Sequence, residues 1–295
     1  MSERETKICK VTFVGAVVNI ILTAAKLIAG ILGNSAAMVA DAIHSLSDFA
    51  TDVAVVLFVK IAEKPQDENH DFGHGKFETL SSVLVGLVLF CVGFGILRYG
   101  VFQIIAFSKG ETLASPCHIA FIAAIASIVV KELLYRYTVI KGKELSSPAV
   151  IANAWHHRSD AFSSVGTAIG IGGALFLGDK WVVLDPIAAI IVSVIVIKSS
   201  IEFVLPGIND LLEKSLPHEI EDEMLQIIKK IPYVSDPHNL RTRSIGTNYA
   251  VEVHIRLPGA MPVSESHELT QEIEHRIKER FGQRTHIIVH VEPQK

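Results

Sequence analysis

A histidine and an aspartate placed four residues apart occur twice in the sequence, each time within an apolar stretch. The segment ADAIHSLSD contains His44 and Asp48, and the segment ANAWHHRSD contains His156 and Asp160. Residues four apart lie on one face of a helix, so two such helices packed together would bring four side chains to one point. Imidazole and carboxylate are ligands of tetrahedral Zn²⁺, whereas two imidazoles disfavour Mg²⁺ and Ca²⁺. The repeat therefore predicts a divalent metal site suited to zinc, with Fe²⁺, Co²⁺, Cd²⁺ and Mn²⁺ as alternatives.

Further polar residues lie on or beside the same helical faces. Asp41, Asp52, Asn153 and His157 border the two pairs, and we expect them to support the ligands or line a pathway. For His157, a position at the membrane interface is also open. The alternative for the whole set is hydrogen bonding between helices, or a water-filled vestibule, without a metal. Ionisable residues inside a membrane span are costly and by default functional, and the duplicated spacing favours the metal site.

A second group of potential ligands lies in the connection KPQDENHDFGHGKFE. This glycine-containing segment holds Asp67, His70, Asp71 and His74. Imidazole and carboxylate again form a metal-binding set, so a second metal site is predicted in this loop. The alternative is a solvated polar loop with exposed histidines, because loop spacing constrains geometry less than helical spacing does.

The carboxy-terminal part of the chain has the pattern of a small α+β domain. Alternation of apolar and polar residues in two segments predicts strands. The predicted order is a helix near 217–231, a strand near 238–244, a hairpin turn at 246–248, a strand at 249–257, a helix near 265–281 capped by Ser264, and a final strand. This order resembles a ferredoxin-like metallochaperone module.

Several histidines of this domain fall on polar faces and could converge on one rim. The candidate ligands of this third site are His238, His254, His267, His290 and Glu292. A single surface histidine is usually only solvated, so the prediction depends on their clustering. His286 shares the polar face of the last strand and is given no role.

The elements that must position these residues are indicated by the hydropathy of the chain. Of its 295 residues 49% are hydrophobic and 20% are charged, and the mean hydropathy is +0.40. Ordinary soluble domains have about a quarter of their residues charged. Charges are sparse up to about residue 206 and dense beyond it. We therefore predict a membrane domain at 1–206 and a separate, more polar domain at 207–295.

Six stretches are long enough to cross a bilayer, which requires about 20 mostly apolar residues. They lie at 11–33, 36–60, 79–105, 117–135, 149–177 and 181–204. Lysine and arginine are concentrated at the amino terminus and in the second and fourth connections, and such loops stay in the cytoplasm. The predicted fold is an α-helical membrane protein with six transmembrane helices, a small cytoplasmic α+β carboxy-terminal domain, and both termini in the cytoplasm.

Charge and cysteine content argue against other classes of protein. The formal net charge is −4, the isoelectric point is near 6.3, and no basic patch is interleaved with aromatic residues. Nucleic acid is therefore not an expected partner. Cys9, Cys91 and Cys117 form no CxxC motif and are expected to be free thiols. The lipid bilayer and a divalent metal ion remain as partners.

The six spans, the motifs ADAIHSLSD, WHHRSD and DFGHGKFE, and the histidine-rich tail together resemble the cation diffusion facilitator family. The resemblance covers nearly the whole chain and is greatest to the bacterial ferrous-iron and zinc efflux branch. It implies that 1–206 is a transport domain and that 207–295 is a cytoplasmic metal-binding, regulatory and dimerisation domain. It also implies a transport site, a loop site and a cytoplasmic site formed by the three ligand sets described above. It also implies that Lys76 and Glu213 form the ion pair that locks a dimer at the membrane surface. The chain departs from well-known bacterial members at His44, where they have aspartate, and a histidine there is associated with zinc preference. It also has Glu292 where a relative has aspartate.

The resemblance further implies a homodimeric antiporter of the inner (plasma) membrane that exports Zn²⁺ in exchange for protons by alternating access. Imidazole titrates near neutral pH and must be deprotonated to bind metal, so His44 and His156 can exchange a metal for protons. Metal in the loop or tail is expected to regulate transport. The alternatives are a membrane metalloenzyme and a metal sensor that does not transport, and enzyme activity is not expected.

Overall fold

The structure is a computed structural model that describes residues 3–62, 64–145, 147–246 and 248–294. The side chains of some helical residues within these ranges, including Asp48, Asp52 and His156, lie outside the description. The amino-terminal part forms long helices: α1 (Glu3–Leu32), α2 (Ala36–Ala62), α3 (Lys76–Ser108), α4 (His118–Glu144), α5 (Pro148–Phe176) and α6 (Leu184–Leu211). A short 3₁₀ turn, Asp179–Trp181, precedes α6.

Each predicted span corresponds to one of these α-helices. Among the described residues, four helices are long and apolar enough to cross a membrane, namely Lys10–Leu32, Lys76–Ser108, His118–Glu144 and Asp179–Leu211. The other two, α2 and α5, are the helices that carry the repeated histidine and aspartate pairs. The helical fold is confirmed, whereas the count of six membrane spans stays a prediction.

The chain forms two compact units, which are described separately. The helical unit comprises Met1–Val53 and Val85–Glu202, and the carboxy-terminal unit comprises Ala54–Leu84 and Phe203–Lys295. The loop between α2 and α3, with its candidate ligands, therefore belongs to the carboxy-terminal unit. The predicted domain boundary after residue 206 stays a prediction.

The start of α2 is fixed by a serine and by a carboxylate from another helix. Ser35 Oγ accepts a hydrogen bond from the Met38 amide at 3.1 Å, as an N-cap residue does. Asp185, at the start of α6, accepts from the Ser35 hydroxyl at 2.5 Å and from the Ala36 amide at 2.7 Å. Negative charge is favourable at a helix amino terminus. Asp185 thus ties α6 to the helix that carries His44.

The start of α5 has a local sequence signal. Ser147 is the N-cap and accepts from the Val150 amide at 3.4 Å, and a proline opens the helix. Proline is favoured at this position because its missing amide hydrogen is not needed there. The core of the helical unit is rich in alanine, which lets helices approach closely. Its buried alanines are Ala37, Ala40, Ala120, Ala124, Ala168, Ala188 and Ala189.

The carboxy-terminal domain is a three-stranded sheet with two helices. Its elements are α7 (His218–Lys229), β1 (Ser235–Ile245), β2 (Asn248–Leu257), α8 (Val263–Phe281) and β3 (His286–Pro293). The strand order is β1-β2-β3, with β1 antiparallel and β3 parallel to β2. A parallel pair needs a crossover connection, and α8 supplies it. The predicted α+β class is confirmed, and β2 contributes Val251, Val253 and Ile255 to the buried core.

The predicted cap of α8 differs from the structure. The helix begins at Val263 with Pro262 as its N-cap, and no side chain forms a cap hydrogen bond. Ser264 lies inside the first turn, so its prediction as the cap is wrong. The fixed backbone angle of proline directs the chain into the helix before Ser264 is reached.

Candidate metal centres

The first candidate centre lies on α2 and α5, where the structure describes two of the four predicted side chains. His44 Nδ1 is buried and has no hydrogen-bond partner among the described residues. A buried polar atom left without a partner is costly, so this nitrogen is available for a ligand. Asp160 on α5 is also buried, with its side chain 8% exposed. The side chains of Asp48 and His156 lie outside the described residues, so the four-ligand site stays a prediction.

Two buried lysines neutralise aspartates of this region. Lys131 Nζ on α4 lies 3.3 Å from Asp160 Oδ2, and Lys26 Nζ on α1 lies 2.7 Å from Asp41 Oδ2. Asp41 also accepts a hydrogen bond from the Ser164 hydroxyl at 2.9 Å, so it is the counter-ion of a buried pair. The sequence analysis assigned no role to Lys131. Its charge inside the fourth predicted span was a signal of function that could have identified it.

His157 is packed between helices and is not exposed at the membrane interface. Its side chain is buried against α1, where Asn19 Nδ2 lies 3.5 Å from its Nδ1. Gly15 leaves room for the imidazole, because a Cβ added there would stand 3.3 Å from Nε2. His157 therefore connects α5 to α1.

The second candidate centre is the loop, where all three predicted ligands converge. One ligand atom from each of Asp67, His70 and His74 lies within 4.8 Å of the other two. His70 Nδ1 lies 3.2 Å from Asp67 Oδ1, and His74 Nε2 lies 3.3 Å from Asp67 Oδ2. Asp71 is exposed and does not join this group in the part of the chain described.

Local backbone groups orient the loop ligands. The amides of Asn69 and His70 donate to Asp67 Oδ1 at 3.0 and 2.9 Å, and the bond from Asn69 is the main cause that lowers the pKa of Asp67. His74 Nδ1 lies 3.3 Å from the Pro65 carbonyl oxygen, which can only accept. Nδ1 therefore donates to this carbonyl, and Nε2 is the ring nitrogen that faces Asp67. A proton on Nε2 or a cation can lie between this nitrogen and the carboxylate.

The third candidate centre lies on one face of the carboxy-terminal sheet. His238, His254 and His290 are register neighbours on β1, β2 and β3. Glu292 Oε1 lies 3.2 Å from His254 Nδ1, and Glu292 Oε2 lies 3.5 Å from His238 Nε2. His238, His254 and Glu292 form a group whose ligand atoms lie within 4.8 Å of one another. His290 is exposed, and its ring centre lies 4.5 Å from that of His254, beside the group.

A backbone carbonyl also orients a ligand of this centre. His238 Nδ1 lies 2.8 Å from the Asp236 carbonyl oxygen, so Nδ1 donates to this carbonyl and Nε2 is the ring nitrogen that faces Glu292. The hydrogen bond from His254, followed by that from Arg256, holds the pKa of Glu292 below its ordinary value. Arg256 Nε lies 3.4 Å from Glu292 Oε2. Arg256 therefore shares this carboxylate with any bound ion.

Two further histidines of the tail lie elsewhere in the domain. His267 is on α8, where its Nε2 lies 3.1 Å from Gln271 Nε2. It does not join His238, His254 and Glu292 among the described residues, so its role as a ligand stays a prediction. His286, which had no assigned role, contacts the ring of Phe72 with a centroid separation of 5.1 Å.

The ion pair expected from the resemblance is present within one chain. Lys76 Nζ donates to Glu213 Oε1 at 2.8 Å, and Arg243 Nη1 lies 3.3 Å from Glu213 Oε2. The hydrogen bond from Lys76 lowers the pKa of Glu213. Arg243 also lies over the ring of Phe72 at 5.2 Å, so this network connects the loop to β1. The role of Lys76 and Glu213 in a dimer stays a prediction.

Nearly the whole chain matches two sequence models of known domains. Residues 12–212 match the model described as the cation efflux transmembrane domain. Residues 216–294 match the model described as the cytoplasmic domain of the cation efflux protein. The two matches together include every candidate ligand of the three centres.

Curated relatives are similar over most of their length. The chain is 35% identical over 296 residues to the manganese efflux system protein MneP of Bacillus subtilis, covering 99% of this chain and 98% of that protein. It is 36% identical over 261 residues to the magnetosome protein MamB of a Magnetospira strain, covering 88% of this chain and 87% of that protein. The metal-bound C-terminal domain of the CzcD transporter from Thermotoga maritima is 31% identical and covers 26% of this chain and 88% of that chain, with a TM-score of 0.24.

Proposed function

The chain belongs to the cation diffusion facilitator family of metal efflux transporters, and we propose that it exports Zn²⁺ from the cytoplasm in exchange for protons. It is a multi-pass membrane protein with apolar helices long enough to cross a bilayer. The observation that carries the proposal is the buried Nδ1 of His44, which has no hydrogen-bond partner among the described residues. Imidazole combined with carboxylate suits Zn²⁺, and the sequence repeats this combination on α5.

The proposed transport site consists of His44, Asp48, His156 and Asp160. An imidazole must lose its proton to bind a metal, and its ordinary pKa near 6.5 lies close to physiological pH. Exposure of the site to the cytoplasm therefore favours metal binding, and exposure to a more acidic outer solution favours protonation and release. This alternation gives efflux of metal coupled to entry of protons. In this proposal the protein is a homodimer of the plasma membrane with both termini in the cytoplasm.

Metal at the loop and tail centres is proposed to regulate transport. In each centre Nε2 of an imidazole faces a carboxylate oxygen, at 3.3 Å between His74 and Asp67 and at 3.5 Å between His238 and Glu292. A divalent cation bound by both atoms would hold the imidazole and the carboxylate together. Both centres lie in the unit that includes the carboxy-terminal domain, where cytoplasmic Zn²⁺ would reach them.

Manganese is the second candidate for the transported metal. The chain is 35% identical to MneP, which is described as a manganese efflux protein. Carboxylate ligands suit Mn²⁺, and Asp48 and Asp160 would supply them. The two histidines favour Zn²⁺, because imidazole is a softer ligand than an oxygen.

The test is transport by the purified protein in proteoliposomes that contain a pH-sensitive dye. Addition of Zn²⁺ should drive metal across the membrane and move protons in the opposite direction. Asp160→Asn should abolish both movements, because it removes a charged ligand. Glu202→Gln, which changes an exposed carboxylate on α6, is the matched control and should transport normally.

Two outcomes would contradict the antiport mechanism, and a third would change the metal. Metal binding without movement across the membrane would identify a sensor, and metal movement without any proton movement would exclude antiport. A competition series of Zn²⁺, Mn²⁺, Fe²⁺ and Cd²⁺ in the same vesicles ranks the metals. Preferential transport of Mn²⁺ over Zn²⁺ would replace zinc with manganese as the substrate.

A further inference from the structure

Two lysine side chains are buried in the helical unit and meet at one serine. Lys26 on α1 is 1% exposed and Lys131 on α4 is 2% exposed. Both ammonium groups donate to Ser45 Oγ, at 3.2 Å from Lys26 and 3.5 Å from Lys131. Ser45 follows His44 directly in the sequence. Lys131 also contacts Asp160, so two lysine ammonium groups lie beside the proposed transport site.

Each lysine has a carboxylate partner, which burial requires. A buried charge costs several kcal/mol unless an opposite charge and hydrogen bonds compensate it. Lys26 is paired with Asp41, and Lys131 is paired with Asp160. The four side chains come from α1, α2, α4 and α5 and form a neutral cluster.

The two pairs differ in how tightly the ammonium is held. Lys26 has three donor hydrogens and three acceptors, which are Asp41 at 2.7 Å, Ser164 at 3.0 Å and Ser45 at 3.2 Å. Among the described residues, Lys131 has two contacts, both longer, at 3.3 Å to Asp160 and 3.5 Å to Ser45. Lys26 is thus fully bonded, whereas Lys131 is held more loosely.

We propose that Lys131 is a tethered cation that competes with the transported metal for the carboxylate of Asp160. The inference rests on the proposed function, in which Asp160 is a ligand of the metal. An ammonium group 3.3 Å from Asp160 Oδ2 occupies space that a metal bound to that oxygen would need. Like charges also repel strongly in a medium of low dielectric constant. Arrival of the metal therefore displaces Lys131, and the four-carbon side chain is flexible enough to move.

This competition affects both the binding and the release of the metal. When the metal leaves, Lys131 returns to Asp160, so the carboxylate is never left as an unpaired buried charge. The positive charge of Lys131 weakens metal binding and speeds release. Lys26 and Asp41 stay paired throughout and act as a fixed connection between α1 and α2.

The test compares neutral and charged replacements of Lys131 by the initial rate of Zn²⁺ transport in proteoliposomes. In Lys131→Met the competing charge is gone, and we expect KM to fall by roughly tenfold while the maximal rate also falls because release slows. Lys131→Arg keeps the positive charge, so its KM should stay close to that of the unaltered protein. Lys198→Met removes an exposed lysine on α6 and is the matched control, with both constants unchanged.

The outcomes separate this inference from the proposed function. Loss of transport in Asp160→Asn together with an unchanged or raised KM in folded Lys131→Met overturns only the tethered-cation inference. Normal transport by Asp160→Asn overturns the proposed function. Lys131→Gln is a second neutral variant, with folding checked by size-exclusion chromatography. If both neutral variants fail to fold while Lys131→Arg folds, the lysine is a structural ion-pair partner and the inference is also overturned.

Discussion

Nε2 of His238 faces Oε2 of Glu292 across 3.5 Å, while its Nδ1 lies 2.8 Å from the carbonyl oxygen of Asp236. The loop has the same arrangement, because a backbone carbonyl holds Nδ1 of His74 and its Nε2 faces Asp67. A histidine that binds a metal through one ring nitrogen generally donates a hydrogen bond from the N–H of the other to a carbonyl or a carboxylate. Two separate segments thus direct Nε2 of an imidazole at a carboxylate.

Replacing Glu292 by glutamine should weaken Zn²⁺ binding on the carboxy-terminal sheet. The substitution removes the negative charge that His238 and His254 share, and we expect the affinity of this site to fall by at least about tenfold. The measurement is the rise in melting temperature of the purified full-length protein on adding Zn²⁺, because a ligand that binds the folded state raises its stability. Glu223→Gln changes a carboxylate paired with Arg280 in the same domain and should keep the full rise. An equal rise in Glu292→Gln and the unaltered protein would contradict the assignment.

Acid should destabilise the metal-free protein partly through Glu292. Its pKa lies below the ordinary 4.5 because His254, and then Arg256, donate hydrogen bonds to it. A group whose pKa is lower in the folded state stabilises the fold above its ordinary pKa, and this contribution is lost as pH falls through the folded pKa. Melting temperatures measured with a chelator should therefore fall less steeply below pH 4.5 in Glu292→Gln than in the unaltered protein. Identical curves for the two proteins would show that this hydrogen bonding does not affect stability.

Alanine at Gly75 should disturb the loop centre. A Cβ there would stand 2.5 Å from the carbonyl oxygen of Ile245 and 2.9 Å from its carbonyl carbon. Since this neighbour is backbone and cannot rotate away, we expect a loss of stability of about 1–3 kcal/mol and weaker Zn²⁺ binding at the adjacent His74. Chemical denaturation and Zn²⁺ titration measure the two effects. Gly259→Ala, whose Cβ would meet Pro293 at an ordinary 3.5 Å, should show neither.

The secondary structure and the grouping of the loop side chains could be predicted from the sequence because their signals are local. Apolar runs gave the six helices, and alternation gave β2 and β3. Asp67, His70 and His74 are close in sequence, so a single turn brings them together. On the sheet, the alternation placed His254 and His290 on polar faces, and the register of the strands then made them neighbours.

The remaining features depend on contacts between distant segments. The partner of Lys131 is Asp160 on the next helix, and Asp185 caps a helix that begins 149 residues earlier at Ala36. No local pattern specifies which helix faces which. The carbonyl groups that orient His74 and His238 could not be predicted from the sequence either, because every residue carries such an acceptor.

The contact between Asp185 and the start of α2 gives the last prediction. Asp185→Ala would leave the Ser35 hydroxyl and the Ala36 amide without the acceptor that they have at 2.5 and 2.7 Å. Each buried polar group left unpaired costs about 1–3 kcal/mol, so the melting temperature of the protein in detergent should fall clearly. Asp185→Asn keeps one carbonyl oxygen as an acceptor and should recover part of the loss. Asp179→Ala, at an exposed carboxylate in the preceding 3₁₀ turn, is the matched control. If Asp185→Ala and Asp179→Ala melt at the same temperature, the carboxylate does not secure α2, and the position of His44 must be fixed by other contacts.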